Sequence, residues 1–302
     1  MTGALTQPLS QPLLQPLSQP LSPALSRAVR AARVVTPELA QAFAKDGAVC
    51  LRGLFNEAEV AQLRRGINAN LAEPSPRAIV ASLAGDPGFF IEDFCNWQHN
   101  ADYHATCIDT PLAEAAALLM RSPSVRLYHD HMLTKEPGTQ APTPWHQDQP
   151  YYNVAGRQNV SFWIPVDPVR RHSTLEFVAG SHLGPWLMPR TFMTKQARWF
   201  PEGSLADLPD INASPEQHNI VGWALEPGDM VAFHMLTLHA SGGVDGDVRR
   251  RVFSARYVGD DATHAPRRWK TSPPFPGLEA ELPAGAPMNH ALFPLLISSG
   301  RR

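Results

Sequence analysis

Cysteine is scarce in this 302-residue chain: Cys50, Cys95 and Cys107 are its three, with no CxxC pair and no Cys/His cluster. The odd count speaks against a disulfide framework, and a reducing cytoplasm is the expected location. An excess of either charge is missing too. With 26 basic and 28 acidic residues the formal net charge is −2, so no bulk electrostatic case exists for nucleic acid or an anionic membrane. The partner implied is a small molecule. No apolar run approaches the roughly 20 residues that span a bilayer, and the N-terminus lacks a basic stretch followed by an apolar one. No glycine-rich loop is available to cradle phosphate, so nothing here favours a CoA-thioester substrate. Oligomeric state is not legible at this level.

Proline, by contrast, is plentiful. It punctuates the opening repeat Gln7-Pro8-Leu9-Ser10, Gln11-Pro12-Leu13-Leu14, Gln15-Pro16-Leu17-Ser18 and Gln19-Pro20-Leu21-Ser22. Proline at every fourth position removes a donor and clashes with the preceding turn, so residues 1–34 read as a disordered or polyproline-like tail. Residues 35–302, in a chain that is 43% hydrophobic, are enough for one domain with a full core. A helix is expected from Thr36-Pro37 to just before Gly47, then a strand over 48–54. Asn56 with Glu59 forms a capping-box start, and Val60, Leu63, Ile67 and Leu71 follow at helical spacing. Thr110-Pro111 opens another helix. From Val125 the texture changes to short apolar or alternating runs at 125–134, 159–166, 174–178, 228–234 and 250–258. Several short strands with few helices between them imply a mainly β fold with flanking helices, built on a double-sheet jelly roll. The irregular stretch 185–223 reads as an inserted loop suited to covering a substrate, and the apolar finish 291–297 as a segment that docks on the domain.

The stretch Trp145-His146-Gln147-Asp148-Gln149-Pro150-Tyr151-Tyr152 carries the chemistry. In an extended segment, His146 and Asp148 point to the same face because side chains alternate. His239, in Leu238-His239-Ala240-Ser241-Gly242, is the leading third ligand. Two histidines and one carboxylate on one face of an octahedron leave open positions, as in a non-heme Fe(II) oxygenase, although zinc hydrolases use the same residue types. Arg249, Arg250 and Arg251 then head a strand, and an arginine aimed inward beside the metal can grip a dicarboxylate through two hydrogen bonds. Parity puts Arg250, Val252, Ser254 and Arg256 on one face of it and Arg251, Phe253, Ala255 and Tyr257 on the other.

In these pieces and their order, the chain resembles the phytanoyl-CoA dioxygenase-like family of Fe(II)/2-oxoglutarate oxygenases. The matching segments are Trp145-His146-Gln147-Asp148, Gly180-Ser181-His182, Pro227-Gly228-Asp229 and His239-Ala240-Ser241-Gly242 followed by Arg250. The resemblance implies a double-stranded β-helix core. It implies Fe(II) held by His146, Asp148 and His239, with 2-oxoglutarate and O2 as cosubstrates. By the same match Arg250, eleven residues beyond His239, binds the far carboxylate of 2-oxoglutarate with help from Ser241, and Trp163 and His131 fall at cosubstrate-contacting positions. The implied reaction oxidises an aliphatic C–H, most simply to an alcohol, with release of succinate and CO2. Asp148 stands where related halogenases leave room for chloride, which points away from halogenation. Arg171-His172-Ser173-Thr174 departs from the turn common in the family, outside the motif.

Large aromatics are more often core than pocket, but Tyr152 shares parity with His146 and Asp148, and it is expected to face the substrate; Phe94 and Trp97 are weaker expectations for the same wall. The expected substrate is a small organic acid, amino-acid derivative or specialised metabolite. His182 is expected to be structural. Two alternatives remain: a non-catalytic β-helix protein that binds a small molecule, and a cupin-type metalloenzyme in which His129 and His131, with Glu136, hold the metal.

Overall fold

The protein is described by a computed structural model over residues 22–82, 85, 87–189 and 200–298. The proline repeat up to Leu21, and Trp199 in the inserted loop, lie outside these residues. The first part of the chain forms α1 (Pro23–Val34), α2 (Pro37–Asp46), β1 (Ala48–Leu51), α3 (Glu57–Ala72), β2 (Ile79–Val80), β3 (Phe90–Phe94), α4 (Ala101–Asp109) and α5 (Leu112–Met120). The strand-rich part follows with β4 (Ser124–Lys135), β5 (Thr143–His146), β6 (Val154–Ala155), β7 (Asn159–Pro165), β8 (Leu175–Val178), β9 (Ile220–Val221), β10 (Met230–Phe233), β11 (His239–Ser241), β12 (Arg250–Val258) and β13 (Thr263–His264). Helix α6 (Leu278–Glu281) and β14 (Leu295–Ser298) complete it.

Local chemistry accounts for the helix ends. Thr36 caps α2, and its C-terminus closes on Gly47 at φ 78°. A Cβ at Gly47 would also lie 2.4 Å from His182 Nδ1, so both the turn and the close packing require glycine there. His182 is buried and its Nε2 lies 3.2 Å from the Ala44 carbonyl. Asn56 and Glu59 form a reciprocal capping box on α3. Helix α1 corrects the expectation of a tail through residue 34. No proline follows Pro23 until Pro37, so the objection to helix lapses. Ser22 caps the first turn, and Ala31 and Val35 are buried against the helical layer.

The fold is a jelly roll built on two antiparallel sheets, with β6 and β13 forming a separate two-stranded ladder. The larger runs β1-β10-β7-β12-β4-β3-β2, with β14 pairing the first part of β4; the smaller runs β5-β11-β8-β9. Strand parity sorts the residues into layers. On β12, Phe253, Ala255 and Tyr257 join Phe162 and Ile164 of β7 under α1–α5. Val252 joins Trp163, Phe177, Val231 and Phe233 between the sheets. Burying such large side chains on both faces stabilises the sheet by about 1.5–3 kcal/mol per residue, and it fixes the register that points Arg250, Ser254 and Arg256 into the barrel. The segment after α6 docks as expected: Phe293 is fully buried beside Tyr128, Tyr152 and Met288.

Candidate metal centre

His146 ends β5 directly opposite His239, which begins β11. The ladder between these short strands brings the two rings to 4.2 Å between centroids. Asp148 arrives differently from the sequence expectation. The strand stops at His146; Asp148 is in the right-handed helical region (φ −75°, ψ −45°) and opens a 3-10 turn at Gln149–Tyr151. The cause is visible in the backbone, where the N–H groups of Asp148 and Gln149 both donate to the Met235 carbonyl, at 2.8 and 2.9 Å. The carboxylate therefore comes from a turn and not from strand alternation. Its Oδ1 lies 3.5 Å from His146 Nε2 and 3.8 Å from His239 Nε2, and one ligand atom from each of the three residues fits within 4.8 Å of the others.

The donor set is prepared for a divalent cation. His146 Nδ1 lies 2.7 Å from the Pro144 carbonyl and His239 Nδ1 lies 2.8 Å from the Thr237 carbonyl. A carbonyl only accepts, so both Nδ1 atoms carry the proton and both Nε2 lone pairs face Asp148. Burial, then the neighbouring His146, pushes His239 down to about 3, so it is neutral at ordinary pH. Burial alone would raise the Asp148 carboxyl, but Arg256, and then the adjacent histidines, hold it well below the usual carboxylate range. Two imidazoles and one carboxylate suit Fe(II) with open positions.

Arg256 was not singled out in the sequence beyond its parity. Its Nη2 lies 3.3 Å from Asp148 Oδ2, with both side chains buried, and 3.5 Å from His131 Nδ1. His131 in turn stacks on Phe94, at 4.0 Å between ring centroids. Arg256 also lies over the Tyr152 ring, at 5.7 Å.

A cavity of about 80 Å3 runs from these ligands to Arg250, lined also by Trp163, Ser241, His131 and Lys135. Arg250 is 5% exposed. It donates to the Ser173 carbonyl and, at 3.3 Å, to Ser241 Oγ, and it lies 5.6 Å from the Trp163 ring centroid. All of these partners are neutral, and burial pushes Arg250 down to about 10. On the other side of the ligands a wider cavity of about 230 Å3 opens outward past Phe94, Trp145, Tyr151 and Tyr152. Tyr152 lines it from beyond the 3-10 turn, so strand alternation, the argument that nominated it, does not account for its position.

Trp97 corrects the expectation for the substrate wall. After β3 the chain turns at Cys95 (φ 60°), and the backbone N–H groups of Asn96 and Trp97 donate to Asp130. The indole is thereby directed into the helical layer beside His104, away from both cavities. The cupin-type alternative is not assembled either. Glu136 lies past the end of β4, about 16 Å along the strand from His131, and accepts from Arg249 at 2.7 Å. His129 is buried against Tyr152. Among the described residues, the triad is the group of His, Cys, Asp and Glu side chains that converges as a metal site would.

Similarity to known proteins agrees with this geometry. The chain matches the sequence model described as phytanoyl-CoA dioxygenase (PhyH) over residues 43–252, a span that contains the triad, Ser241 and Arg250. A Caenorhabditis elegans protein described as a probable phytanoyl-CoA dioxygenase is 25% identical over 191 residues, 60% of this chain and 54% of that protein. The match thus spans about half the length of that relative. Among solved structures, the non-heme alpha-ketoglutarate-dependent carbocyclase SnoK from nogalamycin biosynthesis superposes with a TM-score of 0.68 at 22% identity, covering 88% of this chain and 98% of its own. The epimerase SnoN, in complex with Fe3+, alpha-ketoglutarate and nogalamycin RO, does so with a TM-score of 0.65 at 23% identity, covering 89% and 99%. These two likenesses show a shared fold. The family model, which matches well over half of the chain, shows more: the chain belongs to the phytanoyl-CoA dioxygenase family.

Proposed function

We propose that the protein is an Fe(II)/2-oxoglutarate-dependent dioxygenase that hydroxylates an aliphatic C–H bond of a small molecule. The observation that carries this reading is the pairing of two features along one cavity. At one end His146 Nε2, His239 Nε2 and Asp148 Oδ1 converge; at the other Arg250 is a buried cation whose hydrogen bonds, among the described residues, go to neutral oxygens. A buried charge without a counterion is costly, and a dicarboxylate chelated at the metal would supply one. A zinc hydrolase has no use for that arginine.

When bound, Fe(II) with 2-oxoglutarate activates O2 for C–H oxidation and releases succinate and CO2. The chain's own residues do the rest. The Pro144 and Thr237 carbonyls fix the histidine tautomers. Arg256 occupies Asp148 Oδ2 and leaves Oδ1 toward the metal. Arg250 and Ser241 hold the far carboxylate, and the Trp163 ring and His131 flank the cosubstrate. Phe94 and Tyr152 form walls of the outer cavity, where the substrate C–H is presented. The aromatic lining favours a substrate with an apolar body, and buried walls exclude bulk water from the reacting centre.

The fold also carries a carbocyclase and an epimerase, so product analysis must accompany turnover. Anaerobic addition of Fe(II) and 2-oxoglutarate should give a visible metal-to-ligand charge-transfer band, and air should then release succinate even without substrate. Absence of both the band and succinate overturns the proposal.

A further inference from the structure

A third cavity, of about 210 Å3, is nearly as large as the outer catalytic one at about 230 Å3, and none of its lining residues is shared with either cavity at the metal centre. Its walls come from residues 75–77 after α3, the turn after β3, the first half of β4 and the C-terminal segment. Arg77 is the one arginine or lysine on them, and among the described residues no aspartate or glutamate lines the space. Arg77 is half-buried; its Nη1 donates to the Pro274 carbonyl at 2.9 Å, and among the described residues it has no carboxylate partner. A guanidinium carries five N–H donors in a planar fork, so most of them remain for a ligand. The facing walls are apolar. Tyr128 spends its hydroxyl on Asn153 Oδ1 at 2.8 Å and presents its ring, which packs with Phe275 at 5.8 Å between centroids, and Leu292 lies beside them.

We propose that this cavity is an effector site for a small monocarboxylate with an apolar body, its carboxylate paired with Arg77 and its body held by Tyr128, Phe275 and Leu292. A carboxylate matches the fork of one arginine, whereas a doubly charged anion would leave its second charge uncompensated in a largely apolar space. His146, Asp148 and His239 do not line the cavity, so the acid bound there is not the molecule oxidised. It acts through a shared wall. Phe94 lines the outer catalytic cavity and the next residue, Cys95, lines this one; Tyr152 lines the former, and His129, edge-on to it at 5.0 Å between centroids, lines the latter. The joint between them is Cys95 at φ 60°, a conformation that residues other than glycine rarely adopt and that collects at ligand clamps and switch regions. Binding at Arg77 is independent of the dioxygenase reading; the effect on turnover rests on it.

The probe is benzoate, with benzamide as its neutral isostere, titrated against the full-length protein by saturation-transfer NMR. The wild type should bind benzoate and prefer it to benzamide. Arg77→Gln should weaken benzoate binding by about 10–100-fold, the range for a hydrogen bond to a charged group, and Leu292→Trp, which fills the cavity, should weaken it as well. Arg250→Ala should bind benzoate as the wild type does, because that guanidinium lies in a different cavity. No transfer to benzoate, equal affinity for benzamide, or binding lost in Arg250→Ala and kept in Arg77→Gln overturns the site. In air with Fe(II) and 2-oxoglutarate, benzoate should then produce a saturable change in the rate of succinate release by the wild type and none in Arg77→Gln. Binding at Arg77 that leaves that rate unchanged overturns the effector role. A wild type that releases no succinate under any condition overturns instead the dioxygenase reading, while the NMR titration still decides the site.

Discussion

Arg256 Nη2 stands 3.3 Å from Asp148 Oδ2 inside the barrel, so the carboxylate oxygen that faces away from the two histidines is held by a buried guanidinium. The contact does two things at once. It keeps Asp148 ionised where burial alone would favour the protonated form, and it leaves a single oxygen turned toward the histidines.

Arg256→Gln should therefore weaken Fe(II) or Co(II) binding by about 10–100-fold, the range for loss of a ligand-orienting contact. Metal binding should also be lost at a higher pH on acidification, because the Asp148 carboxyl then titrates closer to its ordinary value. Breaking a buried pair costs about 3–5 kcal/mol, so the metal-free variant should melt earlier than the wild type. Equilibrium dialysis from pH 7.5 to 5.5 reads the first two effects; an unchanged metal affinity would falsify the orienting role.

Arg250→Ala should raise the KM for 2-oxoglutarate by one to two orders of magnitude, the equivalent of about 1.5–3 kcal/mol for a charged hydrogen bond. Arg249→Ala should leave it unchanged, because Arg249 is half-exposed and paired with Glu136 on the surface. If Arg249 proves to be the sensitive position, the assignment of the clamp must move.

His239→Ala should abolish Co(II) binding and its visible spectrum, whereas His129→Ala should retain both. His129 shares a strand with His131 but does not reach the triad. Loss of metal from the His129 variant alone would revive the cupin arrangement.

Acid should destabilise the fold through His234, which is 4% exposed. Its Nε2 faces the Arg157 carbonyl at 2.9 Å and its Nδ1 accepts from the Leu236 N–H at 3.0 Å, so the neutral ring is fully used. Burial, then His182, pushes it down to about 3. Below about pH 6.5 the unfolded chain binds a proton that the folded one refuses, and stability falls by up to about 1.4 kcal/mol per pH unit until pH 3 is approached. In urea unfolding of metal-free protein between pH 6 and 4.5, His234→Gln should flatten the pH dependence by about one proton. An equal slope in both proteins means that another buried histidine dominates.

Phe94→Ala and Tyr152→Ala should change coupling between succinate release and substrate oxidation, since both line the outer cavity. Trp97→Ala should instead lower stability by about 3–5 kcal/mol, the cost of emptying an aromatic core position, with 2-oxoglutarate affinity intact. A normal melting temperature together with altered coupling in the Trp97 variant would return that residue to the substrate wall.

Much of this was legible in the sequence, because it depends on neighbours along the chain. Thr36 and Gly47 delimit α2, Asn56 and Glu59 start α3, and the alternation of β12 separates Phe253, Ala255 and Tyr257 from Arg250, Ser254 and Arg256. These follow from capping chemistry and a two-residue period, which need no knowledge of the rest of the fold. The motif order also nominated His146, Asp148 and His239, which the structure brings together.

The remainder was decided by contacts between segments far apart in the chain. Asp148 reaches the histidines through a turn that exists because the Met235 carbonyl, 87 positions later, captures two backbone N–H groups. Trp97 leaves the substrate wall because Asp130 on β4 claims its backbone. Arg256 shared the inward parity of Arg250, but only the packed barrel brings it to Asp148; only the β4–β12 ladder brings Lys135 to Arg250. Residue type and period thus determined by themselves which side chains share a face; which face turns inward was decided by the packing of the sheets and helices. Which of them meet, and with what charge, was left to the tertiary structure, because desolvation and ion pairing act through space and not along the chain.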